Sequence, residues 1–508
     1  MSLEEKKADY EITKQDSEFS TEVVDLDILD AGVDQAAKYV RDDLVLDEAT
    51  DRALRFKADI YICSFMCLIY AIQFMDKTAT SAASVMGLIQ DLRMEGKMYS
   101  WVGSSFYLGY LVFEFPMGFV LQHFPLAKTT GIIIAAWGTV VACSGASQNY
   151  AGFISTRVLL GALEGGITPS FMVVTSQWYK RNEQFTRTLF WFGFNGVGTI
   201  LGGAIGYGLL VNTSLAIAGW RLLFIILGVI TIVAGVGFFF HIPNNPSEAW
   251  FLNDTERSLQ VERIRNNKQG YGSPKIKWYQ VREAFIDPRT WIYFAFPVVN
   301  NVPNGGITNF QSLLLKQMGY DSEDALLLSM VSGAVEVVGC CATGVLAMYI
   351  WNRFRMGWAL YGSAFTVMSL CLLAWCPTQS GQMAGLFLYS YFTPLSYIGI
   401  ISTISSNTAG RTKKTVASAM MLIGYCVGNL VGPQTFKPSE AATGYHTAKI
   451  AMAACSVAAF GLQVALTLLN YFSNKKRDRE NKKLPSDIVN AEFADLTDFE
   501  NPEFRYEL

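Results

Sequence analysis

Long hydrophobic segments alternate with short polar segments along most of the chain. A helix rises ~1.5 Å per residue, so a run of about 20 apolar residues covers the ~30 Å hydrocarbon core of a membrane. Each such run therefore predicts a membrane-spanning helix. The predicted spans cover residues 59–80, 99–121, 129–147, 151–178, 188–210, 220–241, 291–314, 325–350, 357–376, 383–406, 415–434 and 447–472.

The spans form two groups of six, separated by a long polar segment. The loops after the second and eighth spans, Gly118–Lys128 and Gly344–Met356, are weakly similar, which favours repeated halves with a substrate site between them. Chance similarity of two short basic loops is the alternative. The pattern predicts an all-α membrane protein with twelve transmembrane helices in two six-helix halves. The predicted domains are an N-terminal tail (1–58), a first six-helix bundle (59–241), a central loop (242–290), a second six-helix bundle (291–472) and a C-terminal tail (473–508).

Composition excludes several classes of protein. The 508 residues are 51% hydrophobic and 16% charged, against about 25% charged in soluble domains, so a soluble enzyme is excluded. A net charge of −3 leaves no basic surface for nucleic acid. The nine cysteines lie mostly inside apolar runs and lack the spacing of a zinc site. We therefore predict no metal and no cofactor, and interpret the cysteines as small packing residues.

Basic residues in the loops predict the orientation. With the N-terminus in the cytoplasm, the loops on that side hold 17 Lys and Arg residues and the opposite loops hold 5. The positive-inside rule then places both termini in the cytoplasm. We expect a multi-pass protein of the plasma membrane.

Charged side chains inside the predicted spans are informative, because each is costly in hydrocarbon unless it is paired or hydrated. Lys77 and Arg157 are the basic residues well inside spans, and Asp76 and Glu164 lie at a similar depth. We predict that Lys77 and Arg157 bind a substrate carboxylate, a task that suits a planar guanidinium. Asp76 or Glu164 would then carry a proton. The alternative is a set of permanent ion pairs that stabilises the bundle.

Two further acids lie inside spans, Glu114 and Glu336. Each follows an apolar stretch that contains glycine, so pairing in a gate and contact with substrate are equal alternatives. Gln122 and Arg353 occupy corresponding loops of the two halves. We predict these two residues as further candidates for gating.

Spans seven and eleven are rich in amides, glycine and proline. The run from Asn300 to Asn309, NNVPNGGITN, predicts a broken helix, whose freed backbone groups are tolerated only against a cavity or another helix. We predict that Asn304, Asn309, Asn429 and Gln434 bind the polar end of a substrate. For the glycines of span eleven, close helix packing through small residues is an equal alternative.

Several motifs resemble those of a known family. Arg157-x-x-x-Gly161-x-x-Glu164-Gly165 is similar to the fourth-span motif of the major facilitator superfamily. The segments that resemble its fungal anion:cation symporters are Gln177–Lys180, Asn304–Gly306, Thr412–Lys414 and Gly432–Phe436. The segments that resemble the allantoate permease branch are Phe74–Lys77, Trp191–Gly193 and Asp495–Pro502. The chain departs from the family pattern at Gln122-His123, where Asp-Arg is usual, and at Lys77, where many relatives carry Arg.

The resemblance implies a secondary transporter, driven by the proton gradient, that imports a small organic carboxylate by alternating access. We expect allantoate or ureidosuccinate, with dipeptides, nicotinate or a sulfur-containing amino acid as alternatives. A non-transporting nutrient receptor on the same scaffold is the alternative from another class. The expected partners are the anion, protons and the lipid bilayer, with a monomer as the active form.

Overall fold

The computed structural model describes residues 47–212, 214–265, 277–349, 355–480 and 496–508. Within these residues the regular structure is helical, with no β-strand, so the all-α prediction is confirmed. The twelve long helices are α1 (Glu48–Val85), α2 (Met98–His123), α3 (Leu126–Gly145), α4 (Tyr150–Trp178), α5 (Arg181–Val211), α6 (Gly219–His241), α7 (Pro288–Gln317), α8 (Ser322–Tyr349), α9 (Arg355–Trp375), α10 (Gln379–Asn407), α11 (Arg411–Val431) and α12 (His446–Glu480).

Eleven of these helices are apolar and long enough to cross a membrane, counted over the described ranges. The twelfth, α7, has 30 residues, which is also enough to cross, but its many amides lower its hydropathy. Two helices begin or break in ways that the hydropathy pattern does not mark. The first, α1, begins at Glu48 with acidic residues in its first turn, where the helix dipole favours them. The other, α4, is interrupted at Gly165 and Gly166.

The helices run alternately up and down, which defines two ends of the bundle. The central-loop end carries the start of α1, the end of α12 and the two central-loop helices, Asp254–Arg265 and Trp278–Ile286. The far end carries the connections from α1 to α2 and from α7 to α8.

The two halves meet mainly through three helix pairs, α1 with α7, α2 with α11, and α5 with α8. Glycines permit the closest of these contacts. A Cβ atom at Gly196 of α5 would overlap the carbonyl oxygen of Gly333 in α8, and the reverse also holds. Backbone approach through small residues is a common way to pack helices in membranes, where burial of apolar surface gives little drive for association.

Helix α7 is continuous from Pro288 to Gln317, so the predicted break in span seven is wrong. Side-chain amides support the helix: Asn301 Nδ2 donates to the Pro297 carbonyl oxygen (2.9 Å) and Asn309 Nδ2 to the Gly305 carbonyl oxygen (2.8 Å). Gly305 packs directly on the backbone of α11. Close packing against a neighbouring helix therefore keeps this proline- and glycine-rich run helical.

Each half carries a buried ion cluster at the central-loop end. In the first cluster, Arg263 contacts Asp51 at 2.9 Å and Glu183 at 2.6 Å. In the second, Lys413 Nζ lies 2.9 Å from Glu283, 2.9 Å from Asp287 and 2.7 Å from Asp498 of the C-terminal segment. We call these the Arg263 cluster and the Lys413 cluster. Both join a central-loop helix to the start of a long helix.

Candidate functional site

A cavity of about 500 Å³ lies between the two halves. Its walls come from α1, α2, α4 and α5 of the first half and from α7, α8, α10 and α11 of the second. Ser176, Gln184 and Lys414, all near the central-loop end, belong to its lining. The cavity therefore opens at that end.

The far end is closed by direct contacts between the halves. The Tyr99 hydroxyl donates to the Asn309 carbonyl oxygen (2.7 Å), and Ser104 Oγ donates to the Leu430 carbonyl oxygen (2.7 Å). Gln434 Nε2 donates to Ser104 Oγ (2.9 Å). The structure thus places Asn309 and Gln434 in the closed interface, outside the cavity lining. Both were predicted as substrate-binding residues.

Lys77 and Glu164 form an ion pair at the cavity wall. Lys77 lines the cavity, and its Nζ lies 3.4 Å from Glu164 Oε2. Gln73 Nε2 donates to the same carboxylate oxygen at 3.1 Å. The other oxygen, Oε1, is buried and has no hydrogen-bond partner among the described residues. The predicted proximity of these two charges is therefore present in the structure, in the form of a buried pair.

Asp76 and Arg157 lie behind that wall, on the side of α3 and α6. Successive residues of a helix point about 100° apart, so Asp76 diverges from Lys77. Its buried carboxylate oxygens have no hydrogen-bond partner among the described residues, and they face Trp137 of α3, Thr231 of α6 and the charges of Glu164 and Arg157. Asp76 is 1% exposed and Arg157 is 3% exposed.

Arg157 is held by contacts within the first half. Its guanidinium donates to Thr80 and lies over the rings of Phe153 (5.2 Å) and Phe224 (5.1 Å). It interacts electrostatically with Asp76 and with Glu164. The structure therefore brings Lys77 to the cavity lining, with Glu164 buried behind it, and does not bring Arg157 to that lining.

The two remaining predicted amides, Asn304 and Asn429, are hydrogen-bonded to each other. Asn304 lines the cavity, and its Nδ2 donates to Asn429 Oδ1 at 2.9 Å. Asn429 is fully buried and donates its own Nδ2 to the Tyr425 carbonyl oxygen at 2.9 Å. Asn304 thus faces the cavity while Asn429 orients it.

The candidate gating residues do not lie together in the structure. Glu336 of α8 lines the cavity. Glu114 of α2 does not, and its carboxylate oxygens are buried without a hydrogen-bond partner in the described part of the chain. The side chain of Gln122, and the whole of Arg353, lie outside the described residues.

Aromatic side chains form much of the remaining wall, and the sequence did not single them out as site residues. Tyr70 contacts Trp191 with ring centroids 4.5 Å apart, and Tyr425 packs on Tyr397 (5.8 Å) and Tyr110 (6.2 Å). A tyrosine on an apolar helix is indistinguishable by pattern from a packing residue. Phe74, Trp191 and Phe192 of the lining carried the available signal, because they belong to motifs of the resembling family.

Two six-helix halves around a central cavity, open at one end and closed at the other, form an architecture typical of secondary transporters. A family profile described as the Major Facilitator Superfamily matches residues 66–433. The chain therefore belongs to the major facilitator superfamily. Proteins of this family and fold are transporters, which confirms the prediction that the chain is not an enzyme.

Individual relatives cover almost the whole chain. An uncharacterized transporter of Schizosaccharomyces pombe is 45% identical, covering 100% of this chain and 99% of its own. The allantoate permease of Saccharomyces cerevisiae is 43% identical, covering 94% of this chain and 90% of its own. The predicted resemblance to the allantoate permease branch is thus confirmed.

A solved structure shares the fold. The bacterial homologue of the human lysosomal transporter Spinster, in an inward-facing and unoccupied conformation, superposes with a TM-score of 0.57 at 16% identity. The match covers 84% of this chain and 97% of that one.

Proposed function

We propose that this protein is a proton-coupled symporter that imports a small organic carboxylate, allantoate or ureidosuccinate. The Lys77–Glu164 pair carries the proposal, because it sets an ammonium group on the wall of a cavity whose lining is otherwise largely neutral and aromatic. The similarity to a protein named allantoate permease supports this class of substrate.

Charge balance couples the anion to a proton. In the empty cavity, Lys77 and Glu164 neutralise one another. A substrate carboxylate that binds Lys77 adds a negative charge in surroundings of low dielectric constant, where an uncompensated charge is costly. A proton on Glu164 cancels that charge and releases Lys77 to the substrate. Each ligand therefore favours the binding of the other.

The uncharged end of the substrate matches the opposite wall. Allantoate and ureidosuccinate carry planar ureido groups that donate N–H hydrogen bonds and accept through a carbonyl oxygen. The Asn304 amide can form both kinds of bond, and its Asn429 partner holds its orientation. The flat rings around Tyr70 and Tyr425 suit a planar group.

The predicted orientation gives this conformation a place in the cycle. With the central-loop end in the cytoplasm, the cavity opens inward, and the closed far end faces the exterior of the cell. Substrate would leave for the cytoplasm from this state. Entry would require separation of α1 from α7 and of α2 from α11 at the far end.

Competition for uptake tests the substrate class. In cells that express the protein at the plasma membrane, unlabelled ureidosuccinate should inhibit uptake of labelled allantoate. Allantoin, which lacks the carboxylate, should inhibit at least tenfold less strongly. Equal inhibition by allantoin would contradict recognition through Lys77, and stronger inhibition by nicotinate would assign the protein to that substrate instead.

Substitution of Lys77 tests the residue. Loss of a charge-assisted contact costs about 2 kcal/mol, so Lys77→Ala should weaken substrate affinity more than tenfold. Lys77→Arg should retain uptake because it keeps the charge. Lys97→Ala is the matched control, since Lys97 is exposed near the far end. Normal substrate affinity in Lys77→Ala would contradict a contact between the Lys77 ammonium group and the substrate.

A further inference from the structure

Glu336 is an acid of the cavity that the proposed function leaves without a role. It lies in α8, in the wall that also contains Ser332 and Tyr389. The cavity lining contains one other half-buried charge from within the bundle, Lys77, which is paired with Glu164. Lys414, at the central-loop mouth, interacts with another residue.

The surroundings of Glu336 offer its carboxylate no cation among the described residues. The titratable groups that face it are the Cys340 thiol of its own helix and the Tyr389 hydroxyl of α10. From Thr188 to Val211, α5 carries no charged residue, and it packs on α8 through Gly196 and Thr199. On α7, the neighbouring group is the Gln311 amide, which donates to Ser332 at 2.9 Å.

An ionised Glu336 and a substrate anion would therefore share one cavity with a single available ammonium group. Two anions in surroundings of low dielectric constant repel one another, and protonation of the acid removes that repulsion. We propose that Glu336 binds a second proton that travels with each substrate anion. This inference rests on the proposed function, in which Glu164 binds the first.

The second proton makes transport depend on the membrane potential. With a singly charged anion such as allantoate, the loaded site holds Lys77, protonated Glu164, protonated Glu336 and the anion, and is neutral. The empty site holds the Lys77–Glu164 pair and ionised Glu336, and carries one negative charge. The inside-negative potential then drives the return of the empty carrier, and each cycle imports one net positive charge.

Accumulation in liposomes measures this charge. The purified full chain is reconstituted, with equal pH on both sides and a potassium diffusion potential of about −120 mV inside. One net positive charge per cycle permits about 100-fold accumulation of labelled allantoate at that potential. Glu336→Gln should transport without accumulating substrate under the potential alone. Glu323→Gln is the matched control, because Glu323 is an exposed acid of the same helix.

A pH gradient separates this inference from the proposed function. At zero potential and about one pH unit more alkaline inside, two protons permit about 100-fold accumulation and one proton about tenfold. Wild type should reach about 100-fold accumulation, and Glu336→Gln should reach only about tenfold accumulation. Wild-type accumulation driven by the pH gradient but never by the potential would overturn the second proton and leave the symporter intact. No accumulation under either gradient would overturn the symporter itself.

Wild-type protein alone provides a further test if Glu336→Gln does not fold. Exchange of internal for external substrate uses only the loaded, neutral carrier, so its rate should not respond to the potential. Net uptake should accelerate when the inside becomes negative. Equal responses of exchange and net uptake would contradict the assignment of the negative charge to the empty carrier.

Discussion

The two halves of the bundle share an architecture but differ in chemistry. The first half places five charged side chains inside its spans, Asp76, Lys77, Glu114, Arg157 and Glu164. At comparable depth the second half presents amides: Asn300, Asn301 and Asn304 line the cavity, and Asn301 and Asn309 also support the helix that bears them. Repeated halves need not contribute equally to a site that lies between them.

This difference indicates a division of tasks. Charges in the first half are suited to binding an anion and a proton, whose energies change together. Amides in the second half are suited to the uncharged part of a substrate, because they donate and accept without a change of charge. Glu336 is the exception in the second half, and its lack of a cationic neighbour among the described residues is what suggests a separate proton.

The largest effect is expected from Arg157, whose role is inferred to be structural. Arg157→Gln leaves Asp76 buried without a compensating charge, and breaking a buried pair in this way costs about 3–5 kcal/mol. We expect little folded protein by fluorescence size-exclusion chromatography. The double variant with Asp76→Asn should recover folded protein. A well-folded Arg157→Gln protein with only weakened substrate affinity would instead support the carboxylate clamp predicted from sequence.

We expect the Arg263 cluster and the Lys413 cluster to contribute similarly to the stability of the two halves. Lys413→Met leaves Glu283, Asp287 and Asp498 close together without their shared cation, at a cost of about 3 kcal/mol. Arg263→Met should have a similar effect on the first half. Thermal melts of the purified variants in detergent measure both. Wild-type stability in either variant would show that its cluster does not hold the central-loop helix in place.

A smaller effect, confined to affinity, is expected in the second half. Asn304→Ala removes one hydrogen bond to the substrate, worth about 1–1.5 kcal/mol, so affinity should fall about tenfold. Gln434→Ala should leave affinity nearly unchanged because Gln434 lies in the closed interface. Labelled uptake over a range of substrate concentrations distinguishes the two. A larger loss of affinity in Gln434→Ala than in Asn304→Ala would place the substrate near the far end.

The smallest effect is expected in the C-terminal segment. The Tyr506 hydroxyl donates to Asp498 Oδ2 at 2.7 Å, and Tyr506→Phe should cost about 1 kcal/mol. Burial, followed by the neighbouring Asp498 carboxylate, raises the pKa of Tyr506 above its ordinary value. Its contribution to stability is therefore complete below pH ~10 and is lost as the pH rises further. Melting of wild type should fall more steeply than that of Tyr506→Phe above this pH.

The fold was predictable because hydrophobic length specifies a spanning helix almost by itself. Even the polar α7 was recovered, since the apolar stretches around its amides still cover a membrane. Its continuity was not predicted, because the close packing of Gly305 on α11 is a tertiary contact that local helix-breaking tendencies do not reveal.

The sequence predicted how deep the charged residues of the candidate site lie in the membrane, but not which way their side chains point. Position along a span placed Lys77 and Glu164 together, and the structure pairs them. The same reasoning grouped Asp76 and Arg157 with them, although these two side chains point toward α3 and α6. Which way a side chain points depends on the rotation of each helix in the bundle. The aromatic wall was missed for the same reason, since Tyr70 and Tyr425 have the pattern of ordinary packing residues.

Proton coupling through Glu164 is the central claim, and uptake at controlled pH tests it most directly. Accumulation of labelled allantoate is measured as external pH falls from about 7 to 5, with and without a protonophore, in wild type and Glu164→Gln. Wild-type accumulation should rise as the pH falls and should collapse with the protonophore. Glu164→Gln should still exchange internal for external substrate but lose most of its pH-driven accumulation. Wild-type accumulation that ignores both pH and protonophore would contradict the account.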